Sequence, residues 1–347
     1  MWRKRLFFAL LVVLQAIVFS VKPAFGHERW FVDKGTHSTD SFPFDSITVA
    51  VVFGAIAILA LAIAVERSRF HNWAASIPER MQRFLPIGSE WRVVATLTGV
   101  MLIANAVSGV YLASDLVLPE GWPSTFGRYA QALIGLTLLS QVSFALAGAL
   151  VLVVAIPVAI WFFPAASLAD YAIEYLALGM AMVFVGLSSC PDQLACRVVK
   201  SKPERFAHLP LPIMRIGLGL SLVVLALHNK LLDPDIALTF LDAHDLNFVA
   251  VSGFAGFSNL HFVFAAGVAE LLLGVLIVAG ILTRLATLAL FGFFSLTLAI
   301  LGVVELVGHL PLFGVALLLA YRGPGDYRLS SFWRRRAVPS GPGMTST

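Results

Sequence analysis

Apolar residues gather into long runs at 46–65, 93–113, 128–145, 146–163, 170–188, 215–231, 260–281, 285–304 and 308–321. A hydrocarbon core about 30 Å thick takes about 20 apolar residues of helix, so each run predicts a membrane helix. Spanning β-strands would instead read as short segments of alternating polarity, and the pattern is not of that kind. Two pairs of runs are nearly continuous, broken only by "SQVS" before 144 and "LTR" before 285. Two helices joined by a tight turn fit those breaks better than one helix of double length.

A further apolar stretch, Leu6 to Val21, follows Arg3, Lys4 and Arg5 and precedes "KPAFG", with small residues at Ala24 and Gly26. This order of basic, apolar and small-residue regions predicts a signal peptide over 1–26. Cleavage after Gly26 would leave His27 at the start of a short polar segment, 27–45. An uncleaved signal anchor would give the same orientation. The fold class expected is therefore all-α, a polytopic transmembrane helical bundle of nine helices after signal removal.

Composition agrees with that reading. The chain has 347 residues, 59% hydrophobic and 13% charged, and a mean hydropathy of +0.88. Soluble domains carry about 25% charged residues, so this surface is built for a lipid bilayer. The net charge of +4 does not argue for nucleic acid, because excess Lys and Arg mark cytoplasmic loops in membrane proteins. With the mature N-terminus periplasmic, Arg67, Arg69, Arg80, Arg83 and Arg92 fall inside. So do Arg197, Lys200, Lys202 and Arg205, and the tail residues Arg328 and Arg334 to Arg336. Asp115, Glu120, Asp233, Asp235, Asp242 and Asp245 fall outside. The location expected is the bacterial inner membrane, with the C-terminus cytoplasmic.

An internal repeat is visible at lower contrast. Aligning "RYAQALIGLTLLSQVSFALAGAL" from Arg128 with "GVAELLLGVLIVAGILTRLATLA" from Gly267 matches Ala130, Leu133, Gly135, Leu146 and Ala147 to Ala269, Leu272, Gly274, Leu285 and Ala286. Gln131 falls on Glu270. The division this implies is an extra helix over 46–66, a basic cytoplasmic loop over 67–91 and a first, degenerate four-helix unit over 92–188. A cytoplasmic linker over 189–214, a second unit over 215–328 and a basic tail over 329–347 complete it.

The second unit carries "RIGLGLSLVVLALHNKLLDP", "GVAELLLGVLIVAGILTRLATLAL" and "YRGPGDYRLS". An Arg opens its first helix and Lys-Leu-x-x-Pro closes it. A helix pair then holds Glu, two Gly and an Arg at fixed spacing, and Gly-Pro-Gly precedes a terminal aromatic. In these features it resembles the DoxX/DoxD-like family of four-helix bacterial membrane proteins. The resemblance covers roughly a third of the chain well and the first unit faintly. It implies a four-helix unit. It further implies, for one branch, the membrane subunit of a thiosulfate:quinone oxidoreductase, and for others a place in thiol or oxidative-stress redox complexes. The extra helix, the second unit and His228 depart from the simple family pattern.

Glu270 raises the sharpest chemical question. It lies about 10 residues into its helix, some 15 Å deep at about 1.5 Å per residue, where a charge costs at least about 2.5–3.5 kcal/mol. It must be protonated or paired. A neutral acid bridging two helices, as Gln131 would in the other unit, and a proton carrier are both open. His228 and Lys230 sit near the outer end of their helix, from which Lys230 can snorkel to the interface. Glu305 and His309 are four apart and could share a helical face, but Gly308 and Pro311 predict a turn there.

Six of the eight histidines, His27, His37, His228, His244, His261 and His309, fall at or beyond the outer face. A mature N-terminal His27, with His37, would offer copper ligands, since an α-amine and Nδ1 chelate Cu(II). No H-x-x-x-H or H-E-x-x-H spacing accompanies them, and interfacial histidines without a ligand role fit better than a metal site. Cys190 and Cys196 are not spaced as a C-x-x-C, and on the cytoplasmic side they would be reduced thiols.

Three functions follow as expectations. The first is a membrane subunit of a quinone-linked redox system, an oxidoreductase subunit or an anchor for a soluble redox partner, with Glu270, His228 and Glu305 handling protons. The second is a non-enzymatic periplasmic copper-handling or transport protein using His27 and His37. The third is a scaffold without chemistry.

Overall fold

The computed structural model describes residues 42–68, 89–188 and 203–329, apart from 245, 255 and 302. The signal segment, His27, His37, His71, Cys190 and Cys196 lie outside the described residues, as do most of the basic loops. Helices form over each of the apolar runs: α1 Ser46–Arg67, α2 Glu90–Ser108, α3 Trp122–Ser140, α4 Phe144–Phe162, α5 Ala172–Ser188, α6 Pro210–Leu231, α7 Asn259–Ala279, α8 Thr283–Leu301 and α9 Val303–Arg322. Among them α1, α2, α4, α6 and α7 are long and apolar enough, one by one, to cross a membrane. The described residues hold no strand, only an isolated bridge between Tyr111 and Ala113.

The helix ends follow local chemistry that hydropathy does not register. α1 starts at a capping box in which Asp45 accepts from the backbone of Ile47 and Thr48, satisfying donors that the first turn leaves open. α3 begins six residues before its apolar run, at Trp122, because Gly121 and Pro123 set its start. The two expected tight turns are present. Gln141 takes a left-handed conformation (φ 55°) and Ser143 then caps α4. Gly280 (φ 70°) ends α7 three residues before α8. One expectation fails: α9 runs unbroken through Gly308 and Pro311. Proline is tolerated inside such helices where neighbours re-satisfy the freed carbonyl.

The helices pair in a regular order. α2 crosses α3 and α6 crosses α7, and in both pairs two glycines face each other. A Cβ added at Gly99 would lie 2.8 Å from the Gly135 carbonyl, and the reverse distance is also 2.8 Å. Gly219 and Gly274 repeat this contact at 2.8 Å in both directions. α4 packs on α5 and α8 on α9. The last helix of each set then packs on the first of the other, α5 on α6 and α9 on α2. α1 stands outside this ring, against α7.

Leu102, Ile134, Leu138, Met182, Met214 and Leu318 fill the interior at under 2% exposure. The exterior is apolar as well, with Phe53, Ile56 and Leu61 of α1 each more than half exposed. Water would not tolerate so continuous an apolar surface; lipid requires it.

Candidate functional site

The end of α6 gathers the polar groups. Its last turn, Leu227–Leu231, widens into a π-helix, a geometry that often marks functional positions. The widened turn carries three consecutive polar side chains, two of which meet Asp170 and the third Glu270. His228 Nδ1 lies 3.0 Å from Asp170 Oδ1, and Asn229 Nδ2 donates to Asp170 Oδ2 at 3.1 Å. Lys230 Nζ reaches Glu270 Oε2 at 3.1 Å. The Asp170 side chain is 1% exposed and His228 32%, so the carboxylate is dry while the imidazole opens outward. An ionised Asp170 only accepts, so His228 carries its proton on Nδ1.

This arrangement answers the question about Glu270: it is paired. Lys230 does not snorkel outward. Its side chain starts beside Gly267, where an added Cβ would press on Lys230 Cβ at 3.0 Å, and reaches deeper into the bundle. Lys230 and Glu270 are 14% and 18% exposed. Gln131, at the matching position of α3, is fully buried and does something different. It accepts from Leu112 N–H at 2.9 Å and donates to the Val110 carbonyl at 2.5 Å, fixing the loop after α2. The two positions share a place in the alignment and not a partner.

The other predicted residues separate. Glu305 lies on α9, and its side chain is outside the described residues. His309 is buried on α9 against the ring of Phe294, 5.0 Å away. His261 is structural. Its Nδ1 accepts from Ser258 N–H at 3.1 Å, which places the ring proton on Nε2, and Nε2 donates to Asp45 Oδ2 at 2.8 Å. The contact ties the start of α7 to the start of α1. Among the described residues no group of three His, Cys, Asp or Glu side chains is placed to hold a metal.

The Thr48 backbone N–H, more than the neighbouring His261, holds the Asp45 carboxyl down at about 2, below its ordinary 3.8. A lowered folded-state value means that the stability this group adds is complete above the ordinary value and fades as pH falls toward about 2. Acid titration of unfolding should show that loss in the wild type. Asp45→Asn should start less stable at neutral pH and lack the step.

The opposite end is locked by Arg215 and the Gly-Pro-Gly segment after α9. Arg215 is fully buried and donates to the carbonyls of Pro324 at 2.9 Å and Tyr327 at 3.0 Å. Gly280 leaves the room this needs, since a Cβ there would sit 2.5 Å from an Arg215 nitrogen. Arg322 pairs with Glu90, and Glu66 accepts from Leu282 N–H at 3.1 Å. These contacts close the bundle and leave little for substrate.

A groove of about 1150 Å³ lies along the α6–α7 seam, with walls of Leu220, Val223, Val275 and Val278. His208 and Tyr327, with rings 5.9 Å apart, stand at its Arg215 end.

Asp170 and Glu174 were not singled out from sequence, although both fall within the apolar run 170–188. The argument applied to Glu270, that a carboxylate inside such a run needs a reason, points to them equally. No family model, curated protein or solved structure matches the chain.

Proposed function

We propose that the chain is the membrane subunit of a quinone-linked redox system, acting with a soluble partner that supplies electrons. The observation that carries this reading is the convergence of Asp170, His228, Lys230 and Glu270 on one π-helical turn of an apolar bundle. Buried ion pairs are poor sources of stability, since well-packed apolar side chains of similar volume often do as well or better. Ionisable groups kept at membrane depth therefore argue for proton handling.

A quinone accepts two electrons and two protons when reduced. His228, open to the aqueous end, takes up a proton, and Asp170 orients its ring. Lys230 and Glu270 carry protons further into the bundle. The apolar walls of the α6–α7 groove suit an isoprenoid tail. Val275 stands five residues along α7 from Glu270, roughly 7.5 Å of helix axis. The soluble partner is part of the proposal as the source of the two electrons.

The proposal includes nine spans, with the mature N-terminus periplasmic and the Arg215 end cytoplasmic. It also includes two DoxX-like four-helix units, α2–α5 and α6–α9, of equal orientation. The paired glycine crossings and the reciprocal packing of α5 on α6 and α9 on α2 support that repeat, as expected of parallel repeats about an axis along the membrane normal. The test is chemical. Protein purified in mild detergent and extracted with solvent should yield about one quinone per chain. A variant with the groove filled, Val275→Trp, should yield far less. Quinone absent from the folded wild-type protein, even after incubation with excess, would reject the reading.

A further inference from the structure

A second polar site lies where α2, α5 and α9 meet, apart from the π-turn cluster. It is a cavity of about 20 Å³ lined by Asn105, Leu112, Tyr171, Glu174, Tyr175 and His309. A water needs roughly 10–15 Å³ of such space and two to four polar partners, so one water fits. Most donors around it are engaged. Asn105 Nδ2 donates to the Leu112 carbonyl at 2.9 Å, Tyr175 Oη to the same carbonyl at 2.7 Å, and Tyr171 Oη to Asp115 Oδ1 at 2.9 Å. These bonds hold the walls rigid. The half-buried Glu174 lines the cavity together with the buried His309, and no described residue hydrogen-bonds to the Glu174 carboxyl.

A helix-bridging role would need a hydrogen-bond partner, and no described residue supplies one. A carboxyl and an imidazole lining one water-sized space inside an apolar bundle are arranged for proton exchange. We propose that this cavity is a proton-binding site in which one water links Glu174 to His309. The O–H bond of Glu174 breaks as an N–H bond forms on His309, the water relays the proton, and no electron moves. The other titratable groups nearby are Tyr171 and Tyr175 on the same segment and Tyr111 and Asp115 on the loop after α2. The Asp170–His228 pair lies on the α6 side. α2 itself contributes only the neutral Asn105 and Met101, and Glu305 lies one turn before His309 on α9. The inference does not depend on the quinone reading.

Acid-minus-alkaline infrared difference spectra of the full chain in lipid test it, with no electron donor or quinone added. The expected result is a protonated-carboxyl band that shifts in heavy water, is absent from Glu174→Gln, and titrates at a displaced midpoint in His309→Gln. Superimposable spectra of wild type and Glu174→Gln would overturn the proposal, as would an unmoved midpoint in His309→Gln. Should Glu174→Gln fail to fold, Glu174→Asp decides. A displaced carboxyl band supports the site and an unchanged band overturns it.

Discussion

Glu270→Leu destabilises the protein by about 3–5 kcal/mol, the usual cost of removing one member of a buried ion pair. The variant removes the carboxylate that lies 3.1 Å from Lys230 Nζ, on a side chain only 14% exposed. Lys230→Met leaves a buried carboxylate and costs a similar amount. The double variant loses less than the sum, because it removes both charges of the pair together, and the coupling should reach about 1–3 kcal/mol. Glu270→Gln is the informative intermediate. It keeps a hydrogen-bond acceptor and removes the countercharge, so it is costlier than a neutral bridge would allow. Reversible unfolding in mixed micelles measures all four proteins. Additive losses would mean that the pair stabilises nothing.

The second large effect belongs to the glycine crossings. Gly274→Ala and Gly135→Ala each place a methyl 2.8 Å from a backbone carbonyl of the facing helix. Backbone cannot rotate away as a side chain can, so α7 must move off α6, or α3 off α2. Overpacking of this kind costs about 1–3 kcal/mol, and Val in place of Ala costs more. Gly54→Ala and Gly292→Ala are the controls. An added Cβ meets nothing within 4 Å at either, so these variants keep or gain stability through helix propensity. Equal losses at all four positions would reduce the effect to a general intolerance of substitution.

Much of the fold is legible in the sequence because lipid imposes a simple rule on it. Apolar runs of sufficient length become helices, and the "SQVS" and "LTR" breaks become the turns at Gln141 and Gly280. Boundaries are less legible, because caps and prolines set them. Trp122 opens α3 through a stretch too polar to score as a span, and Pro311 sits inside α9 where a break was expected. The candidate site was half legible. Glu270 and His228 stand out as charges in apolar surroundings, but their partners come from other helices. Asp170 is 58 residues from His228, and nothing local to α6 announces that pairing. Nor does hydropathy reveal that a widened turn aims Lys230 inward rather than toward the interface. The resemblance motifs, Arg215 with the Gly-Pro-Gly segment, lock the basic end of the bundle and mark packing rather than chemistry.

The central claim is that the π-turn cluster moves protons, and one measurement reaches it without the soluble partner. A quinone analogue bound to purified protein is reduced electrochemically, and proton uptake is followed with a pH indicator in weakly buffered solution. The wild type should take up two protons in step with two electrons, as the stoichiometry of quinone reduction requires. Asp170→Asn and His228→Gln keep hydrogen-bonding side chains in place, so both should stay folded while uptake slows by about 100-fold, the scale of a lost general acid or base. Uptake at the wild-type rate in both folded variants would contradict the account.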